Sequence, residues 1–132
     1  MQEIQNAAAK IITNSRKYDH VTPILKKLHW LPVEPRIKFK IAIITYKCIK
    51  GKAPSYLRSL IKSYKPSRSL RSQEQDLLIV PRTNTKTLGT KAFYFAAPTI
   101  WNELPLEVRR AKTSTSFKTK LKTYLFKSHF KD

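Results

Sequence analysis

Pro35-Arg36-Ile37-Lys38-Phe39-Lys40-Ile41-Ala42-Ile43-Ile44-Thr45-Tyr46-Lys47-Cys48-Ile49-Lys50-Gly51 carries the strongest periodic signal in the chain. Ile37, Ile41, Ile44 and Cys48 recur at a spacing of three or four, the repeat of one helical face. Phe39, Ala42, Ile43, Tyr46 and Ile49 widen that stripe on both sides. Proline suits the opening turn, where its missing N–H has no partner to lose, and glycine suits the residue just past the end. The segment reads as the longest helix and as a central one, because so broad an apolar arc needs several neighbours. Arg36, Lys40 and Lys47 fall on the arc left for solvent.

Working outward, residues 2 to 14 favour a helix with Ile4, Ala8, Ile11 and Ile12 as its inward stripe. Thr22-Pro23 offers an N-cap and a first-turn proline for a short helix running to about Trp30. On the C-terminal side, Ala53-Pro54-Ser55 opens a helix carrying Tyr56, Leu57, Leu60, Ile61 and Tyr64. Residues 66–76 are polar, Ser-rich and basic with no apolar period, which reads as a flexible loop. Leu77 to Val80 and the β-branched stretch from Thr83 to Thr87 suggest a short β-hairpin around residues 77–88. Phe93, Ala96, Ala97, Ile100, Trp101 and Leu104 return to helical spacing, with Pro98 demanding a break or kink. Ser114 to Ser116 cap a last helix that buries Phe117, Leu121, Tyr124 and Leu125. The expected fold is mainly α, a small helical bundle of about five or six helices, forming a single basic domain over residues 1–132.

With 132 residues the chain holds about one domain. Its 41% hydrophobic content includes six Tyr, which predicts a thin core completed by a neighbouring domain. Lys and Arg number 27 against 8 Asp and Glu, so the formal charge is +19. Such an excess opposes compaction until counter-charge arrives, and nucleic acid supplies it naturally because neutralising its phosphates releases condensed counterions. No run approaches the roughly 20 apolar residues needed to span a bilayer, and the first residues lack a signal-peptide core. An intracellular protein of the nucleus or cytoplasm is expected, and the lone Cys48 fits a reducing compartment.

Catalytic chemistry finds little to work with. Metal-assisted phosphoryl transfer needs converging carboxylates, whereas Glu3, Asp19, Glu34, Glu74, Asp76, Glu103, Glu107 and Asp132 are scattered. His20, His29, His129 and Cys48 lack zinc spacing, and two isolated glycines cannot cradle a phosphate. Catalytic residues, metal ligands and cofactors are therefore all expected to be none. Cys48 reads as a small buried hydrophobe.

Leu28-His29-Trp30-Leu31-Pro32-Val33, Arg36-Ile37-Lys38-Phe39-Lys40 and Ala53-Pro54-Ser55-Tyr56-Leu57 stand in an order that resembles the segment after the polymerase domain in LINE-type non-LTR retrotransposon reverse transcriptases of the jockey and chicken-repeat class. Gln5-Asn6-Ala7-Ala8-Ala9-Lys10, Asp19-His20-Val21-Thr22-Pro23, Pro66 to Ser72, Val80-Pro81-Arg82-Thr83, Ala96 to Pro105 and Ser116-Phe117-Lys118 extend the resemblance nearly end to end. The resemblance implies a fragment of a larger reverse transcriptase, with Met1 an accidental start inside a longer frame. Nothing here matches the Tyr-x-Asp-Asp turn of such polymerases, or their endonuclease, so activity is not implied.

The implied role is a non-catalytic tail that grips template RNA or an RNA–DNA hybrid by its backbone, with target DNA and the upstream polymerase domain as further partners. No membrane or small-molecule partner is expected. Arg68 and Arg71 with Tyr64, at the mouth of the polar segment, and Lys118, Lys120 and Lys122 on the last helix are the candidate nucleic-acid contacts, since guanidinium and ammonium groups meet phosphates and aromatic rings stack on bases. Trp30 and Trp101 read as core residues instead. The competing expectation is a packing module for the polymerase or for self-association, or a decayed copy with no present role.

Overall fold

The computed structural model describes residues 1–68, 71, 75–85, 89 and 92–131. The chain is mainly helical, with seven helices among the described residues: α1 (Gln2–Ile12), α2 (Val21–Lys27), α3 (Val33–Ile49), α4 (Ser55–Arg58), α5 (Phe93–Glu103), α6 (Leu106–Arg109) and α7 (Ser114–His129). It divides into two compact units, Met1–Phe39 with Lys122–Asp132, and Lys40–Leu121, so that the boundaries fall inside α3 and α7.

In the first unit α1 packs on α2. Ala9, Leu25 and Phe130 form the buried cluster, with Val21, Ile24, Leu28, Trp30 and Phe126 packed around it. Trp30 is thus a core residue. The stripe expected to face inward on α1 does the opposite: Ile4, Ile11 and Ile12 are 74%, 79% and 60% exposed. The inward side is instead Gln2, Gln5 and Ala9. Gln5 Nε2 donates to the Leu31 carbonyl at 2.7 Å, and Gln2 Oε1 accepts the Val33 amide at 2.8 Å. Val33 opens α3, so a glutamine from another helix satisfies one of the amides that a helix start leaves without an internal partner. That demand of the backbone outweighs the apolar period of the sequence.

Three helices end in the same way. The residues after the caps of α1, α2 and α3 are Asn14, His29 and Gly51, with φ of 55°, 54° and 72°. In each the next amide reaches back five residues: Ser15 to Lys10, Trp30 to Leu25 and Lys52 to Lys47, at 2.9, 3.0 and 2.9 Å. This is the Schellman arrangement, and it satisfies carbonyls the helix end would leave bare. The stop at Gly51 matches its sequence signal. α2 begins at Val21 after His20, so Thr22 is not the cap, and Pro23 still lies within the first turn.

The second unit centres on Phe117, which is 1% exposed. Its ring stacks on Tyr46 at 4.4 Å and on Trp101 at 5.7 Å between centroids. Each such aromatic pair contributes about 0.5–1.5 kcal/mol beyond area burial. The Tyr46 hydroxyl donates to the Ala111 carbonyl at 2.8 Å and Trp101 Nε1 to the Asp76 carbonyl at 3.0 Å, so neither polar tip is left bare. α3 presents Ala42, Thr45, Tyr46 and Cys48 as its buried residues in this unit, while Ile44 is partly exposed. Phe117 and Leu121 of α7, and Leu125 in the first unit, are buried as expected, whereas Tyr124 is only partly buried and the cap is Thr113 rather than Ser114 to Ser116, its hydroxyl accepting the Ser116 amide.

Two further expectations require correction. The helix projected through Tyr64 ends at Arg58, and beyond it Ser63 makes an isolated antiparallel bridge with Leu78. The Leu77 carbonyl thus accepts the Tyr64 amide, and the Ile79 amide donates to the Lys62 carbonyl. The expected hairpin includes residues 86–88, which lie outside the described residues, as do 69, 70 and 72–74 of the expected loop. Pro98 does not break α5, which runs through it with Pro98 buried.

Candidate nucleic-acid interface

Lys118, Lys120 and Lys122 are all exposed on α7, the first two in the second unit and Lys122 in the first. Helical register separates Lys118 and Lys122 by about one turn. Arg68 and Arg71 are exposed as well. Tyr64 differs from these, because it lies 40% exposed on the wall of a groove in the second unit. The structure does not bring Arg68, Arg71 or the α7 lysines into that groove.

The groove has a volume of about 610 Å³ and, among the described residues, four cations on its lining, Lys50, Lys65, Arg109 and Arg110, against the carboxylate of Asp76. Local structure explains their convergence. The Ser63–Leu78 bridge holds Tyr64 and Lys65 beside Asp76 and Leu77. The single turn of α6, started after Pro105, turns Val108 and Arg109 inward and leaves Arg110 exposed as its cap. Lys50 comes from the end of α3, its ammonium 5.6 Å from the centre of the Tyr46 ring.

Arg110 Nε meets Asp76 Oδ2 at 3.1 Å, a half-exposed pair of the kind worth about 0–1 kcal/mol. Arg109 is only 9% exposed, and among the described residues its Nε and Nη1 have no hydrogen-bond partner. Burial pushes the Arg109 guanidinium below its ordinary pKa, Asp76 pulls the other way, and neighbouring Arg110 lowers it further. Buried polar groups are nearly always satisfied, which makes this side chain the exception that calls for an explanation.

Of the residues lining this groove the sequence reading named Tyr64 as a candidate contact and did not single out Lys50, Lys65, Arg109 or Arg110. The adjacent pair Arg109-Arg110 was the available signal, since one turn of helix separates two neighbours into an inward and an outward one.

Elsewhere the residues are quieter. Burial raises the Cys48 thiol above its ordinary pKa, opposed by Arg58, as suits a packed small hydrophobe. Among the described residues no group of three or more His, Cys, Asp or Glu could hold a metal ion, and no helix is long and apolar enough to cross a membrane. No family model, curated protein or solved structure matches the chain.

Proposed function

We propose that this chain is a non-catalytic nucleic-acid-binding module that grips RNA or an RNA–DNA hybrid mainly through backbone phosphates. The observation that carries the proposal is the net charge of +19, much of it on exposed side chains such as Arg68, Arg71, Lys118, Lys120 and Lys122. A polyanion relieves that self-repulsion and releases counterions as it does so. The resemblance to the post-polymerase segment of LINE-type reverse transcriptases supports the same reading and adds the upstream polymerase domain as a partner. Contacts of this kind position a strand without reading its sequence.

The test is a salt titration of RNA affinity. With six to ten phosphate contacts, binding falls about 10³- to 10⁵-fold between about 50 and about 200 mM salt. A quadruple charge reversal, Arg68→Glu, Arg71→Glu, Lys118→Glu and Lys122→Glu, weakens binding while the helical circular dichroism stays unchanged. Wild-type affinity in that variant defeats the assignment of these four residues.

A second reading has its own observation. Ile4, Ile11 and Ile12 leave α1 with an exposed apolar stripe, which fits a packing module for the polymerase domain or for a second copy.

A further inference from the structure

The cavity in the second unit has on its lining a buried cation, Arg109, two of whose nitrogens have no hydrogen-bond partner among the described residues. Arg109 is the most buried of the four cations lining it, and its Nε and Nη1 have no acceptor among the described residues. Among the described residues Asp76 is the one carboxylate on that lining, and Arg110 already engages it at 3.1 Å. Among the described residues, four cations against one carboxylate give that lining a formal excess of 4 − 1 = +3. Guanidinium nitrogens buried without an acceptor cost the free fold stability, and a ligand oxygen that reaches them recovers part of that cost.

We infer that this cavity binds a backbone phosphate of single-stranded nucleic acid, with Arg109 as its innermost donor and Lys50, Lys65 and Arg110 around it. The inference rests on the nucleic-acid reading above and deepens it. A guanidinium forks onto two phosphate oxygens at once, a match that an ammonium lacks. Tyr64 on the same wall offers a partly exposed ring to the base beside that phosphate. The recess selects the strand. A duplex displays its phosphates along a stiff convex surface, whereas a single strand can turn one phosphate inward toward a side chain that is 9% exposed.

The test compares the whole chain with its Arg109→Met variant, using a single-stranded RNA oligonucleotide, an RNA duplex of equal length and inorganic phosphate. The variant loses about 10- to 100-fold in affinity for the single strand, the range of a hydrogen-bonded charged group. Its salt slope falls by about 0.7, one phosphate contact on a single strand. Duplex affinity stays unchanged, and the Tm of the free variant rises because an unanswered charge has gone. Unchanged single-strand affinity and slope in Arg109→Met overturn the cavity site and leave the broader reading standing. Absence of RNA binding by the wild type overturns the broader reading itself. A Tm rise with inorganic phosphate in the wild type alone, without any RNA effect of the substitution, assigns the site to a free anion and overturns the polymer. Should Arg109→Met unfold, Lys65→Gln decides at an exposed position: a lower salt slope supports the site and an unchanged one removes it.

Discussion

Asn102 holds both backbone polar groups of Leu78: its Oδ1 accepts the Leu78 amide at 2.9 Å and its Nδ2 donates to the Leu78 carbonyl at 2.9 Å. A side chain on α5 thus does for Leu78 what a neighbouring strand would do. Leu78 is buried, so both groups lose their partner together when the amide is removed. Asn102→Ala is expected to destabilise the chain by about 1–3 kcal/mol in urea unfolding. Asn102→Asp keeps the bond to the amide but sets a carboxylate oxygen against the Leu78 carbonyl. That raises its folded pKa above the unfolded value, so the lost stability returns as pH falls through the carboxyl range. A pH-independent deficit in Asn102→Asp contradicts the clamp.

Gly89 is buried, and its amide donates to Thr85 Oγ1 at 2.8 Å. A Cβ added there meets Thr83 Oγ1, with Thr85 Oγ1 at 2.7 Å and Thr83 Cβ at 2.9 Å. Gly89→Ala therefore displaces the Thr83 turn, at a cost of about 1–3 kcal/mol as for other overpacked sites. Thr83→Ala in the same chain removes the closest of the three contacts, that of Thr83 Oγ1, and thermal unfolding of the double variant recovers part of the loss.

The exposed α1 stripe separates packing within the chain from packing with something else. Because Ile4 and Ile11 bury so little, Ile4→Gln with Ile11→Gln changes Tm by no more than the roughly 0.5 kcal/mol typical of surface substitutions. Self-association, if it uses this face, dissolves in the double variant, which sedimentation measures directly. A large stability loss shows that the stripe is covered within the chain.

Cys48 gives a pH dependence with a definite sign. Its thiol pKa lies above the ordinary value in the folded state because of burial, so the folded chain keeps a proton that the unfolded one releases. Its stabilising contribution is complete below the unfolded thiol pKa and is lost as pH rises through the folded one. The stability gap between wild type and Cys48→Ala accordingly narrows as pH rises above the ordinary thiol pKa of about 8.5. A constant gap contradicts the burial of the thiol.

The mainly helical fold was legible, and unevenly so. The helix α3 and the buried side of α7 follow from spacing, since Phe117, Leu121 and Leu125 repeat at helical intervals and have a core to meet, but on α3 Ile37, Ile44 and Ile49 of the expected stripe are exposed and Thr45 is buried instead. Periodicity could not tell which side of α1 faces inward, because Gln2 and Gln5 earn that place through the carbonyl of Leu31 and the amide of Val33. Asn14 and His29 gave no glycine signal, yet both adopt the left-handed conformation that ends their helices. For His29 the accompanying contact is visible, as Trp30 lies against the cluster containing Leu25. Tyr64 continued an apolar spacing on paper, but backbone pairing with Leu77 draws the chain out of helix there. The cavity was the least legible part, because Lys50, Lys65 and Arg109 are distant in sequence and only the tertiary fold lines them up.

The bond from Val33 to Gln2 spans 31 positions of sequence and ties the opening of the longest helix to the intactness of the first. Whenever α1 frays, that amide becomes free to exchange with solvent deuterium. Val33 is thus a natural reporter: its protection follows the unfolding of a segment to which it does not belong, and a Gln2→Ala substitution makes the two events independent.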